Sequence, residues 1–243
     1  MTINFAKRNL KKLLRDPLSI VFIIIFPLIL LFIFNQFNIP SESYRLNNLT
    51  PAIVVFGFSF ITMFSALLIS KDRSSSFLIR LSVSPMQSYQ YILGYILAII
   101  PIIIVQNVLF FALAIVMGLK FSFGIIVAVF VSIVIAIPFI CIGIIIGSIF
   151  SEKSSSGVSS ILVQVVCFTS GMFFPVEILG GFFKVVCEYL PFESCVTILR
   201  GVMNNNLNMI GLRNIIVFAV YFVIFLIVAV LVFRKKMASD NKQ

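Results

Sequence analysis

Six apolar runs, residues 18–34, 53–69, 91–117, 125–150, 158–174 and 215–233, hold no Asp, Glu, Lys, Arg or His in their central parts. At 1.5 Å per residue, each can cross about 30 Å of hydrocarbon as a helix with at most modest local thinning. None alternates with a period of two, so the runs predict helices and not the strands of a barrel. With 61% hydrophobic residues, 11% charged and a mean hydropathy of +1.18, the chain lies outside the range of soluble domains, whose apolar fraction is about 45–50%. The expectation is an all-α integral membrane protein, a single transmembrane domain over residues 1–243 with six transmembrane helices.

Residues 1–16 precede the first run and carry a second pattern. On a wheel of about 100° per residue, Ile3, Ala6, Leu10, Leu13 and Leu14 share one face, and Lys7, Arg8, Lys11, Lys12 and Arg15 the other. This predicts an amphipathic interfacial helix whose cations each gain about 1 kcal/mol beside an anionic leaflet. Asp16 and Pro17 then read as the N-cap and first residue of a new helix. A cleaved leader fits less well, because the basic stretch is long and no small-residue cleavage site follows Phe34.

Cations set the expected orientation. With both termini cytoplasmic, the inner segments hold Lys7, Arg8, Lys11, Lys12, Arg15, Lys71, Arg73, Arg80, Lys153, Arg234, Lys235, Lys236 and Lys242, and the outer ones only Arg45, Lys120, Lys184, Arg200 and Arg213. The net charge of +10 is thus a topology signal of the positive-inside kind. It does not point to nucleic acid, since these residues flank the membrane and belong to no recognition fold.

Several function classes are disfavoured. Ion-coupled carriers usually place an ionisable residue at mid-depth, and here there is none. Intramembrane serine proteolysis needs a histidine base, and the chain has no histidine. Cys141, Cys167, Cys187 and Cys195 show no Cys-x-x-Cys spacing, so no metal site is expected. There is no Gly-x-x-x-x-Gly-Lys-[Ser/Thr] loop either, so uphill transport would need ATP hydrolysis by another polypeptide.

Two loops between runs stand out. Residues 70–85 place Phe77, Leu78 and Leu81 at one-turn spacing among Lys71, Asp72, Arg73 and Arg80, with Pro85 as a stop. This predicts a short amphipathic helix on the cytoplasmic surface. The loop 151–157 reads as a plain polar turn. Residues 175–212 are too charged to span and too apolar to float free, which predicts one or two short outer helices before the last span, with Lys184 and Glu188 paired at i, i+4. Cys187 and Cys195 lie in this oxidising-side segment, and both free and paired thiols are open readings. At mid-depth the uncharged polar residues Thr62, Ser65, Gln106, Asn107 and Gln164 either bond between helices or line a substrate path. Pro27, Pro101 and Pro138 predict kinks, and Gly143 with Gly147 a close helix approach.

Three segments carry a family resemblance: Arg8-Asn9-Leu10-Lys11-Lys12-Leu13-Leu14-Arg15-Asp16-Pro17, the loop from Lys71-Asp72-Arg73 to Pro85 and on to Gly94, and Ser170-Gly171-Met172-Phe173-Phe174-Pro175 with Leu190-Pro191-Phe192 and Leu199-Arg200-Gly201. In their order and spacing the chain resembles the membrane subunit (permease) of a type 2 ATP-binding cassette (ABC) exporter, of the multidrug or daunorubicin-resistance kind. It departs from the family where Lys71-Asp72-Arg73-Ser74-Ser75-Ser76 stands for a Glu-Arg-Glu-x-Gly-Thr type sequence. The resemblance implies a cytoplasmic ABC ATPase partner holding ATP and Mg, with no cofactor on this chain, and a second permease subunit in a homo- or heterodimer. It makes 70–85 a coupling helix that docks on the ATPase through Asp72, Arg73, Phe77, Leu78 and Arg80. The implied function is export of a hydrophobic or amphipathic compound, such as a drug, an antimicrobial peptide or a lipid-like molecule, across a bacterial plasma membrane. A polysaccharide or teichoic-acid exporter and a non-transporting scaffold or sensor are the alternatives.

Overall fold

The computed structural model describes residues 2–37, 44–75, 87–172 and 180–240, and among them every regular element is helical. Helix α1 (Thr2–Leu14) leads into α2 (Pro17–Ile20), a π-helical turn at Val21–Ile25, and α3 (Phe26–Gln36). Then come α4 (Leu46–Ser74), α5 (Ser88–Val116), α6 (Phe123–Ile149), α7 (Glu152–Thr169), α8 (Gly181–Tyr189), α9 (Pro191–Met203) and α10 (Leu212–Asp240).

Five stretches among the described residues are long and apolar enough to cross a membrane: Pro17–Gln36, Leu46–Ser74, Tyr89–Val116, Phe123–Ile149 and Leu212–Lys236. The expected span over 158–174 corresponds to α7, which starts earlier, on Glu152, Lys153 and three serines, while residues 173 and 174 lie outside the described residues. The loop read as a polar turn at 151–157 is largely the first turns of that helix. Ser151 caps it, its hydroxyl oxygen accepting from the Ser154 N–H.

Helix α1 differs from the two-faced pattern of the wheel. Phe5, Ala6, Asn9 and Leu13 pack inward, whereas Ile3 and Leu14 are 66% and 52% exposed. The helix therefore has three faces. One meets the bundle, one carries the exposed Ile3 and Leu14 outward, and one presents Lys7, Lys11 and Arg15. Asp16 is the N-cap of α2 with Pro17 in the first turn, but its carboxylate accepts from the Ser19 hydroxyl at 2.7 Å and not from a backbone N–H.

The π-helical turn lies directly ahead of Pro27. Proline has no N–H to donate to the carbonyl of Ile23, and its ring crowds that carbonyl, which accounts for the widened turn before it. Helices α5 and α6 continue through Pro101 and Pro138.

Helix α4 is the hub. Its apolar stretch is 89% buried within the protein, against 6% for α10 on the rim. Glycines let α4 approach its neighbours closely, since a Cβ at Gly143 would lie 2.6 Å from Ser65 Cβ and 2.7 Å from the Thr62 carbonyl oxygen. At Gly147 it would lie 2.5 Å from the Ala66 carbonyl oxygen, and a Cβ on Gly57 would strike the Gln106 side chain. In lipid such backbone proximity, through dispersion, substitutes for the hydrophobic drive of a soluble core.

Contacts sort the bundle into two ends. At one, α1 meets the last turn of α4 and the start of α5, and Phe233 of α10 packs on Tyr91 and Tyr95 with ring centroids 6.2 and 6.3 Å apart. At the other, Arg200 of α9 donates to the Asn48 carbonyl at 2.9 Å and Arg213 of α10 reaches Glu188 of α8 at 3.0 Å. Lys184 and Glu188 stand at 4.0 Å on α8. All four cysteines are free and buried thiols.

Candidate functional site

The residues Lys71, Asp72 and Arg73 end α4, and each reaches a different neighbour. Asp72 is wholly buried. Its Oδ1 accepts from an Arg8 guanidinium nitrogen and from Lys12 Nζ at 2.9 Å, and its Oδ2 from the Tyr95 hydroxyl at 3.0 Å. Arg8 and Lys12 stand one turn apart on α1, so one carboxylate can engage both. Lys71 faces Glu152 of α7 at 3.6 Å, a half-exposed pair worth little by itself. Arg73 donates to the carbonyls of Gly147 and Phe150 at the end of α6, at 3.4 and 3.5 Å, where a cation complements the negative end of a helix dipole.

An aromatic box closes over the carboxylate. Phe5 of α1 meets Tyr91 and Tyr95 edge-on, at 5.6 and 5.0 Å between centroids, and the Arg8 guanidinium carbon stands 5.7 Å from the Phe5 ring centre. Gly94 makes room for Phe5, since a Cβ there would fall 2.5 Å from its ring. The charged cluster is thereby shielded on the protein side, while the side chains of Arg8 and Lys12 keep 34% and 39% of their surface exposed.

A second feature lies beside α4. Phe22, Phe26, Leu30, Phe56, Phe60 and Met63 form one wall of a cleft of about 510 Å³, and Ser156, Ser160, Val163, Gln164 and Cys167 of α7 the other. The phenylalanines are mutually ordered: Phe22 stacks on Phe60 at 5.8 Å, and Phe26 and Phe56 meet Phe60 edge-on at 5.6 and 5.2 Å. Ser156, Ser160 and Gln164 repeat every four residues, which sets three uncharged hydrogen-bonding groups in line along α7. Among the described residues, no ionisable side chain other than the Cys167 thiol lines the cleft.

The structure divides the residues expected from sequence. Gln164 faces the cleft. Thr62 instead donates to the Phe139 carbonyl of α6 at 2.8 Å, and Ser65 to Ile61 of its own helix at 2.6 Å. Asn107 donates to the Ser132 hydroxyl at 2.6 Å. Gln106 is buried between α4 and α5, with no hydrogen-bond partner for its amide among the described residues. Asp72 and Arg73 both turn toward their own chain, and Phe77, Leu78 and Arg80 lie outside the described residues. Sequence reasoning missed Tyr95, Ser156, Ser160 and Phe22. The four-residue repeat leading to Gln164 was the available signal for the two serines.

Among the described residues, long apolar helices around a buried hub, tied at one end by a charged cluster and cleft at the side, define a multi-pass, all-α membrane protein. Residues 3–204 match the family described as ABC-2 type transporter. The chain belongs to that family and is a membrane subunit of an ABC transporter. No curated protein matches it.

Proposed function

We propose that this chain is the membrane subunit of an ATP-driven exporter, powered by a separate cytoplasmic ATPase, that carries a hydrophobic or amphipathic compound out of a bacterial cell. The observation that carries this reading is the cleft. An ordered phenylalanine wall opposite a line of hydroxyl and amide groups suits a molecule with an apolar body and a few polar atoms. The absence of charge among the described residues of either wall disfavours a strongly ionic cargo, and 510 Å³ is too small for a polymeric glycan. The cleft opens sideways between α3, α4 and α7, where a bilayer-dissolved compound, or a second permease subunit in a homo- or heterodimer, would meet it.

Six crossings with both termini cytoplasmic fit the layout. Helix α7 begins beside Lys71 at the end that carries α1, and the chain next appears in α8 and α9 at the other end, so α7 supplies a crossing despite its polar first turns. The end that carries α1 also holds most of the cations, as expected of a cytoplasmic face. With Asp72 and Arg73 engaged by their own chain, the proposed ATPase dock rests on Phe77, Leu78 and Arg80.

The test is ATPase activity in lipid nanodiscs, with this chain co-expressed with a cassette ATPase encoded beside it. Co-purification, activity stimulated by a lipophilic fluorescent dye, and loss of stimulation in Phe60→Ala are expected. Failure of any cassette ATPase to co-purify with the unaltered chain would overturn the reading.

A further inference from the structure

We infer that Asp72 is a positioning residue, a latch that holds α1, α4 and α5 as one body so that force on the segment between α4 and α5 moves all three. The inference rests on the exporter reading for its functional consequence, though the latch itself is geometric. Residues 75–87 connect α4 to α5, and one buried carboxylate ties the helices at both ends of that connection. Asp72 sits on α4 two residues before its end, and Tyr95, two turns into α5, donates to Oδ2. The other oxygen holds α1 through Arg8 and Lys12. A motion that reaches the end of α4 or the start of α5 is therefore passed to the interfacial helix through this carboxylate.

The groups around the carboxylate explain why an amide would not replace it. Arg8 and Lys12 face it from α1, Tyr95 from α5, and Lys71 and Arg73 flank it in sequence while pointing to α7 and α6. A neutral amide of the same shape would keep the packing but lose the attraction to two cations, which can turn to water because both are partly exposed. Asp72→Asn should therefore fold and still bind its partner, with α1 released from the bundle. Asp72→Glu keeps the charge and should restore part of the coupling.

Two measurements on the full-length chain test this. In the first, spin labels on Lys11→Cys and Lys153→Cys report the separation of α1 from α7 in nanodiscs, without any need for the ATPase. A single narrow distance in the parent and a broad distribution in Asp72→Asn are expected. In the second, the co-purified complex is assayed with the lipophilic dye. Basal hydrolysis in Asp72→Asn should stay within about twofold of the parent, while the dye-stimulated fraction falls about fivefold or more, a typical size for lost coupling between two sites. Unchanged distances in Asp72→Asn would overturn the latch. So would stimulation that survives in Asp72→Asn, or a fall in thermal stability with the stimulated-to-basal ratio intact, since a merely structural residue behaves so. If no ATPase co-purifies with the parent, the exporter reading fails and the distance measurement still decides the latch.

Discussion

Tyr95 gives the Asp72 carboxylate its third donor, and the phenol is itself fully enclosed. Hydrogen bonds to charged groups contribute about 1.5–3 kcal/mol net, so Tyr95→Phe should lose about that much stability, read as a lowered thermal midpoint in nanodiscs. A variant as stable as its parent would mean that the hydroxyl finds equal company elsewhere. At the other end, Cys187 is buried on α8, and its thiol pKa is pushed upward first by that burial, then by Glu193 and Glu188. In the pH range where an ordinary thiol has ionised, above about 9, the folded Cys187 still holds its proton while the unfolded one has lost it. Its contribution to stability is thus full below that pH and declines above it. Maleimide labelling of Cys187 should lag behind a cysteine placed at exposed Leu207 at neutral pH, and its rate should still be climbing above pH 9. A Cys187 rate that levels off with that of the exposed cysteine would refute this. The single residues were only partly legible. The charges of Arg8, Lys12 and Asp72 are plain in the sequence, but their meeting depends on where α1 lies against α4, and no local pattern encodes that.

Elements were read better than residues, because hydrocarbon imposes a length and a polarity that local sequence must satisfy. The run at 53–69 lies within α4, which extends past it at both ends, and the run at 91–117 ends one residue beyond α5, on its C-cap Met117. The rotation of α1 was misjudged: a wheel separates apolar from charged residues, but it cannot know that the bundle offers a buried anion, which draws Arg8 and Lys12 toward the protein and turns Ile3 and Leu14 outward. Pro27 was legible as a disturbance and not as a π-helical turn. That turn has a measurable consequence. A π-helical turn carries about one extra residue, so a regular helix in its place would rotate everything before it by about 100° and swing Phe22 out of the cleft. Pro27→Ala is expected to do this. A short thiol-to-thiol cross-linker should join cysteines at 22 and 64, whose parent rings are 6.4 Å apart, when Pro27 is kept and fail to join them in the Pro27→Ala background. Equal cross-linking in both would show that the turn does not depend on the proline.

At the scale of the whole molecule most of the described helices pack on α4, with α10 outside them against α5, α6 and α9. Legibility here was high for the all-helical, multi-pass character, with five of the six expected runs found as candidate spans among the described residues, and low for their arrangement, since Gly57, Gly143 and Gly147 announce close approaches without naming the partner. The proposed six crossings predict that cysteines replacing Lys11 and Lys236 react from one side of the membrane and a cysteine replacing Leu207 from the other. An impermeant maleimide on sealed, right-side-out vesicles should label position 207 at once and the other two only after permeabilisation. Labelling of 11 and 236 from opposite sides would require an odd number of crossings. The central place of α4 also bears on how the protein comes into being. It leaves the ribosome before the helices that will enclose it, so its Gly57 notch, Thr62 and Ser65 first meet lipid and not Gln106, Phe139 or Gly143. Helix α4 must therefore wait for α5 and α6, and its close contacts can be completed only once α6 has been synthesised and inserted.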